Sequence, residues 1–495
     1  GTVFLMNLPA IFNVVGILLI LLGALLLVPL TVSVHYLERG LDGGMSPQVA
    51  FLISSVLAFI SGYLLWKKLP SGLEKFRERE GFAIVGVSWI AITLIGALPF
   101  YLTNVCPQFV DAFFETMSGF TTTGATVLTT LDTLPHGILF WRNLMQWLGG
   151  MGIIMLSLAI FPALGIGSFQ LFKAEMPSGA NVERVQPRLA ETAKLLWKTY
   201  LVLTLVQISL LVGGGMGWFD AICHTFSTVA TGGFSPHANS IGHFDSVYFE
   251  TVILVFMFLG GMNFVLHYHL IQRNYDVVTT NPEWRFYTTL VFVGIAVVTF
   301  GLWLQAPDEG AGQALRRAAF NVVSVQTTTG FATDDFDRWP DYLRVYMVLI
   351  MMVGACSGST SGSFKAIRVV IILKVIFREF QKLVHPRAVI SIKVGQRALD
   401  SDQVTNVLAL SGLFFGLSTV GYLLLSLMGV PLTSSLTGSI ACLFNIGPGL
   451  GAVGPAGDYA HIPAAGKWIL SLWMLLGRLE IYGILLLFFP MTWKK

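Results

Sequence analysis

The sequence predicts an all-α polytopic membrane protein. Four helix–re-entrant loop–helix repeats surround a pseudo-four-fold axis, and two further transmembrane helices precede them. Three observations lead there. The chain is 54% hydrophobic and only 12% charged over 495 residues, against about 25% charge in soluble domains, and its mean hydropathy is +0.72. Its apolar residues gather into stretches long enough to cross a bilayer. Short Thr/Gly-rich clusters recur between those stretches. This composition rules out disorder and disfavours a water-soluble enzyme.

Ten apolar segments reach the ~20 residues that span hydrocarbon: 8–34, 48–66, 81–103, 138–161, 195–216, 249–270, 285–304, 342–376, 404–429 and 466–490. The first is too long for a signal core and has no Ala-x-Ala end, so it reads as a span. The eighth is over-long and carries a polar interruption. Shorter stretches lie between segments 3 and 4, 5 and 6, 7 and 8, and 9 and 10. They are too short to span and too apolar for solvent loops, which suits re-entrant half-helices. The chain divides accordingly into a two-helix extension (1–70) and four repeats (71–165, 166–275, 276–400 and 401–495).

Basic residues set the orientation. Lys67, Lys68, Lys75, Arg77 and Arg79 follow segment 2. Later connections on that side carry Lys173, Arg184, Arg188 and Lys194, then Arg273 and Arg285, then Lys374, Arg378, Lys382, Arg387, Lys393 and Arg397; Lys494-Lys495 close the chain. The other side carries Asp111, Asp132, Asp245, Asp308, Glu309, Asp334, Asp335, Asp337, Asp341 and Asp458, with few bases. The positive-inside rule places both termini in the cytoplasm, and the half-helices then enter from outside.

Several chemistries lack their residues. Cys106, Cys223, Cys356 and Cys442 are far apart and form no Cys-x-x-Cys pair, so they read as packing residues. There is no phosphate loop, and Gly213-Gly214-Gly215-Met216-Gly217 follows an apolar helix rather than a strand. His224, His267 and His269 have no metalloprotease spacing and read as packing or interface residues.

Internal repetition is the strongest signal. Val110-Asp111-Ala112-Phe113 precedes Thr122-Thr123-Gly124, and Phe219-Asp220-Ala221-Ile222 precedes Thr231-Gly232-Gly233, at one offset of 109 residues. A third cluster is Thr328-Thr329-Gly330 and a fourth, divergent one is Asn445-Ile446-Gly447. A second mark recurs in the following helix: Leu148-Gly149-Gly150-Met151, Leu259-Gly260-Gly261-Met262, Val353-Gly354-Ala355-Cys356 and Leu476-Gly477-Arg478-Leu479. Four such units around one axis bring their clusters together in a pseudo-four-fold pore. Backbone carbonyls there can replace an ion's hydration shell. Glycine permits the necessary angles, and half-helix C-termini aimed at the axis favour a cation.

With these motifs the chain resembles the TrkH/TrkG/KtrB superfamily of potassium transporters. The carriers are Ser118-Gly119-Phe120-Thr121-Thr122-Thr123-Gly124-Ala125-Thr126, Ala230-Thr231-Gly232-Gly233-Phe234-Ser235 and Thr327-Thr328-Thr329-Gly330-Phe331. The two leading helices resemble the TrkH/TrkG branch. The resemblance implies that K+ is the transported ion and that Gly124, Gly233, Gly330 and Gly447 are filter glycines. The fourth cluster departs from the pattern through Asn445-Ile446, so symmetry is approximate. The resemblance also implies a bacterial inner-membrane location, a homodimer and a separate TrkA-like cytoplasmic nucleotide-binding ring. This chain itself binds no nucleotide on that reading, and no nucleic acid is expected as a partner.

The interruption in segment 8 runs Gly354-Ala355-Cys356-Ser357-Gly358-Ser359-Thr360-Ser361-Gly362-Ser363. Such a run breaks a helix, and irregular backbone at membrane depth must lie against protein or a wet cavity. The resemblance implies an intramembrane gate; a static kink is the alternative. Arg478 takes the place held by Gly150, Gly261 and Ala355. It projects toward the axis below the filter or serves as a packing ion pair, although Glu480, two residues on, is badly placed to face it. Lys365 and Arg368 either contact the loop or snorkel to the interface. The acids of the outer side either concentrate cations or are merely solvated. A sodium- or proton-coupled symporter of the same fold stands as the rival function. A membrane enzyme finds no coherent catalytic constellation in the spans.

Overall fold

The computed structural model describes residues 7–68, 78–160, 186–388, 390–395, 397–481 and 484–485. Helices α1 (Leu8–His35) and α2 (Pro47–Lys68) pack along one another. Their backbones cross at two glycines: a methyl on Gly16 would stand 2.7 Å from the Gly62 carbonyl oxygen, and one on Gly62 2.6 Å from that of Gly16. Small residues allow such an approach between apolar helices.

The rest of the described chain repeats one plan. The first unit holds α3 (Glu78–Gly96), the short α4 (Leu98–Leu102), α5 (Phe109–Phe120) and α6 (His136–Ile160). The second holds α7 (Gln186–Gly213), α8 (Trp218–Val229), α9 (Val247–Gly260) and α10 (Phe264–Ile271), followed by α11 (Tyr275–Thr280). The third holds α12 (Pro282–Gln305), α13 (Ala311–Gln326), α14 (Asp341–Met351) and α15 (Ala366–Val384). The fourth holds α16 (Ser401–Leu427), α17 (Leu432–Leu443) and α18 (Ala464–Arg478). A small antiparallel hairpin, β1 (Lys393–Val394) and β2 (Arg397–Ala398), joins the third unit to the fourth, a minor departure from the all-α expectation.

Local sequence explains the starts. Asn281 accepts the Trp284 amide at 2.9 Å and Pro282 opens α12. Asp400 and Gln403 form a capping box for α16. Pro340, Pro431 and Pro463 precede α14, α17 and α18.

Packing closes a ring. The post-cluster helix of each unit lies on the half-helix of the next: α6 on α8, α9 on α13, α14 on α17, and α18 back on α5. The long first helices stand outside. Among the described residues six helices are long and apolar enough to span a membrane, and α9 with α10 forms a further, bent candidate. Ile60, Leu205, Phe292 and Phe415 are exposed on α2, α7, α12 and α16, as lipid-facing surfaces require.

One expectation needs correction. The sequence signalled a break only in segment 8, yet the post-cluster helix is interrupted in all four units. Within α6, Gly152 has φ +73° and ψ 137°. The α9–α10 pair bends by 106°. Residues 352–365 separate α14 from α15. Helix α18 stops at Arg478, and Glu480 and Ile481 follow with φ of +57° and +61°. Each break adjoins the recurring glycine mark. The glycine lets its helix press on the half-helix end: a methyl on Gly149 would stand 1.9 Å from the Phe120 oxygen, and one on Gly477 1.9 Å from the Leu443 oxygen.

Candidate functional site

The four clusters begin as helix C-caps. Each half-helix ends four residues before its key glycine, at Phe120, Val229, Gln326 and Leu443. In each, two backbone bonds close the end in one pattern. Thr122 N donates to Gly119 O and Thr123 N to Ser118 O; Thr231 N to Thr228 O and Gly232 N to Ser227 O; Thr328 N to Val325 O and Thr329 N to Ser324 O; Asn445 N to Cys442 O and Ile446 N to Ala441 O. This is a Schellman cap, whose turning residue is usually glycine or asparagine. Here it is Thr122, Thr231, Thr328 and Asn445, at φ of +52°, +53°, +60° and +54°. A β-branched residue held there stores about 1–3 kcal/mol, a strain typical of functional sites.

The next turn brings the key glycines together. Gly124, Gly233, Gly330 and Gly447 have φ of +80°, +82°, +84° and +93°. A methyl on Gly124 would stand 2.2 Å from the Gly232 oxygen, and one on Gly233 2.0 Å from the Thr329 oxygen. One on Gly330 would stand 2.2 Å from the Ile446 oxygen, and one on Gly447 2.7 Å from the Thr123 oxygen. Each glycine therefore leaves room for a carbonyl of the next unit, and the sequence of contacts closes on itself. All twelve cluster residues picked from the sequence lie in this one constellation.

Side chains brace it unequally. Thr121 and Thr123 share a hydroxyl bond of 2.8 Å, and so do Thr327 and Thr329. In the fourth unit Asn445 Nδ2 donates to Thr123 Oγ1 and to the Met474 carbonyl, both at 2.9 Å. In the second, Gln146 Nε2 donates to the Gly232 carbonyl at 2.7 Å while its Oε1 accepts from Phe234 N at 2.9 Å.

On one side of the ring lies an open cavity of about 130 Å³, lined by Gly124, Gly233, Gly330 and Gly447 together with His237 and Asp458. Its wall rests on a buried ion pair that the sequence reading did not identify. Arg142 Nε meets Glu115 Oε1 at 2.8 Å, Arg142 Nη1 donates to the Ser235 carbonyl at 3.0 Å, and Glu115 accepts from Val127 N at 2.9 Å. The Arg142 guanidinium also lies over Phe234, 4.0 Å from the ring centre. Tyr459 donates to the Gly447 carbonyl at 2.7 Å. His224 is buried between the Asp220 carbonyl and Ser235 Oγ, a packing role. His267 contacts the Leu259 carbonyl across the α9–α10 bend.

The other side is covered by the loop 352–365. Thr360 Oγ1 donates to the Val229 carbonyl at 2.9 Å and lies 3.3 Å from Thr231 Oγ1. Gly362 N donates to Thr328 Oγ1 at 2.9 Å, and Ser361 Oγ lies 3.0 Å from that hydroxyl. A methyl on Gly362 would stand 2.6 Å from Asn445 Cβ. The loop therefore touches the turning residues of three units. Thr122 Oγ1, the equivalent hydroxyl of the first unit, is buried with no hydrogen-bond partner among the described residues.

The loop is tied at both ends. Glu283 at the start of α12 accepts from Ser357 N at 2.7 Å, Ser357 Oγ at 3.0 Å and Ile367 N at 3.1 Å. Gly354 N donates to Phe364 O at 2.9 Å, Ser359 Oγ to Cys356 O at 2.5 Å, and the Gly358 carbonyl accepts from Phe264 N at 3.0 Å. Lys365 is buried and donates to the Ser361 carbonyl, so it contacts the loop rather than snorkelling. Arg368 pairs with Glu480 at 2.5 Å. Arg478 instead donates to Thr360 O at 2.8 Å, Gly149 O at 2.7 Å and Gly150 O at 3.0 Å, fastening the loop to the first unit.

The acids on the cavity side are mostly paired, not free. Asp111 binds Lys467 at 2.5 Å, Asp245 binds Arg316 at 3.0 Å, Asp334 binds Arg317 at 2.6 Å, and Arg344 bridges Asp337 and Asp341 at 2.9 Å each. The expectation of few bases on that side is corrected: Arg316, Arg317, Arg344 and Lys467 lie among these acids, each paired with one or more of them. Lys75, Arg77, Lys173, Arg184, Lys494 and Lys495 lie outside the described residues, as do 161–185 and most of 482–490.

Together the fold and its centre define an all-helical, multi-pass membrane protein in which Gly124, Gly233, Gly330 and Gly447 meet in one constellation. The family described as TrkH, cation transport protein, matches residues 47–495. The chain is 41% identical to the Trk system potassium uptake protein TrkH of Escherichia coli (strain K12), covering 99% of this chain and 100% of that one. It is 34% identical to the Trk system potassium uptake protein TrkG of the same organism, covering 97% of each. The crystal structure of the potassium transporter TrkH from Vibrio parahaemolyticus superposes with a TM-score of 0.87 at 36% identity, covering 99% of this chain and all of that one. The chain belongs to the TrkH family of cation transport proteins.

Proposed function

We propose that this chain mediates potassium uptake by selective permeation through the ring of Thr123, Gly232, Thr329 and Ile446 carbonyls. The cyclic contact of the four glycines with those carbonyls carries the reading. Four oxygens at one level can stand in for water shed by a monovalent cation, with no covalent chemistry. The half-helices end at this ring, and their partly negative C-termini favour a cation. The named relatives are potassium uptake proteins, which supports potassium as the cargo.

The loop 352–365 is the gate on this reading. Seated, it occupies the Thr231 and Thr328 hydroxyls, and Arg478 adds a positive charge beneath the ring. Opening frees both hydroxyls and moves Thr360 away from Arg478. Helix α15 leads directly out of the loop, so a partner acting on α15 can move it. We assign that role to a separate TrkA-like nucleotide-binding subunit on the cytoplasmic side, with the chain working as a homodimer and both termini in the cytoplasm.

Rubidium uptake into proteoliposomes loaded with potassium tests the proposal, with and without the nucleotide-binding subunit. Competition by external potassium and far weaker competition by sodium is the expected result. Equal competition by sodium contradicts the filter. A strict need for a sodium or proton gradient makes the chain a coupled symporter instead.

A further inference from the structure

Gln146 breaks the symmetry of the site. Counting three residues back from the recurring glycines Gly149, Gly260, Gly354 and Gly477 gives Gln146, Met257, Met351 and Met474. All four side chains are buried in the fold. Three units thus have a buried methionine at this register, and the first has an amide.

The amide faces the one cluster that lacks a side chain at its middle position. Thr123, Thr329 and Ile446 hold that position elsewhere; the second unit has Gly232. A methyl on Gly232 would stand 2.4 Å from Gln146 Cδ, so the amide fills the space a side chain would take. Thr123 and Thr329 are braced by threonines two residues before them, whereas Ala230 at the matching place has no hydroxyl. Gln146 braces the backbone directly instead: it donates to the Gly232 carbonyl at 2.7 Å and accepts from Phe234 N at 2.9 Å, on either side of Gly233. A buried amide with both ends satisfied holds a fixed rotamer and fixes what it bonds.

We propose that Gln146 is a positioning residue for ion selectivity: its amide fixes the Gly232 carbonyl, the only ring carbonyl of the four to which a glutamine side chain donates among the described residues. The inference rests on the carbonyl-ring reading above. A glycine carbonyl without a braced side chain is free to tilt inward and accommodate a smaller cation. The Gln146 bond opposes that tilt and keeps the second quadrant at the size set by the other three.

The test measures potassium and sodium as competitors of rubidium uptake by the full chain in proteoliposomes. Gln146→Met lowers the potassium-to-sodium preference roughly fivefold, the worth of one hydrogen bond, while uptake persists. Gly232→Thr alone collides with Gln146 and lowers both uptake and preference. Gln146→Met combined with Gly232→Thr puts at both positions the residue types found elsewhere in the repeats, methionine and threonine, and recovers preference relative to either single change. Gly330→Ser runs alongside. If Gly330→Ser abolishes preference and Gln146→Met leaves it intact, the Gln146 role is overturned and the ring stands. If neither changes preference, the ring reading itself fails. A Gln146→Met protein that loses uptake is judged by the double variant: recovery supports the positioning role, and no recovery in a protein that elutes as wild type overturns it.

Discussion

The amide of Gly362 donates to the hydroxyl of Thr328 at 2.9 Å, joining the intramembrane loop directly to a residue of the carbonyl ring's own backbone turn. Thr328 is held at φ +60°, and two residues later the chain reaches Gly330. Loop and ring therefore share a hydrogen bond. A change in one alters the hydrogen bonding of the other without any long relay.

Loosening the loop's seat should raise flux. Thr360→Val keeps shape but removes the hydroxyl bonded to the Val229 and Gly260 carbonyls at 2.9 and 3.2 Å. Net losses of about 1 kcal/mol per bond over the two bonds shift a closed equilibrium roughly thirtyfold. Rubidium uptake without the nucleotide-binding subunit should rise accordingly, with the ion preference unchanged. Unaltered uptake would detach this loop from gating.

Arg478→Ala should raise flux further, because it removes three donated bonds and a positive charge. Charge-assisted bonds contribute about 1.5–3 kcal/mol each. Arg478→Lys should fall between, since an ammonium cannot reproduce the guanidinium fork. The same uptake assay on monodisperse protein decides it. Equal flux in all three forms would leave Arg478 a packing residue.

The Arg142–Glu115 pair should matter to stability. Both side chains are almost wholly buried, 1% and 0% exposed. Arg142→Leu leaves the Glu115 carboxylate without its cation, at a cost of about 3–5 kcal/mol. Thermal unfolding in detergent should show a clear fall in melting temperature. Adding Glu115→Gln should return part of it, since no unpaired charge then remains. An unchanged melting temperature for Arg142→Leu would contradict the pairing.

At the cavity rim His237 bridges Asp220 and Asp132, at 3.2 Å to each, and stacks on His243 with ring centres 3.8 Å apart. The Asp220 hydrogen bond, opposed by partial burial, raises its pKa above the ordinary histidine value. A raised folded value means the bridge contributes fully below about pH 6.5 and weakens as pH rises through the folded value. Melting temperature should therefore drop across that window, and His237→Asn should flatten the drop. A wild-type profile in the variant would place the titration elsewhere.

Much of this architecture was legible. The 109-residue offset relates the first two clusters, and the Thr329-Gly330 and Ile446-Gly447 pairs mark the other two turning points in the sequence, because a repeated backbone turn needs similar residue types. The breaks in three post-cluster helices were not legible. Gly152 and Gly261 sit among apolar neighbours, and nothing in the local residue types marks a break there. Only the Ser/Gly/Thr run of the third unit carried its own break signal. The paired acids were missed for a similar reason. Arg316 and Lys467 lie 66 and 356 residues from Glu250 and Asp111, and a count of charges by side does not show who meets whom. Gln146 did carry a signal, as a lone polar residue in a methionine register, but its meaning needed Gly232 beside it.

The most direct test of the central claim is a matched series: Gly124→Ala, Gly233→Ala, Gly330→Ala and Gly447→Ala, each assayed for potassium against sodium competition of rubidium uptake. The added methyls would stand 2.0–2.7 Å from the next unit's carbonyl oxygen. The ring account predicts lost preference in every variant, mildest for Gly447→Ala, where the gap is 2.7 Å. A variant that kept both uptake and preference would show that its quadrant does not contribute to selection, and would contradict the four-part ring.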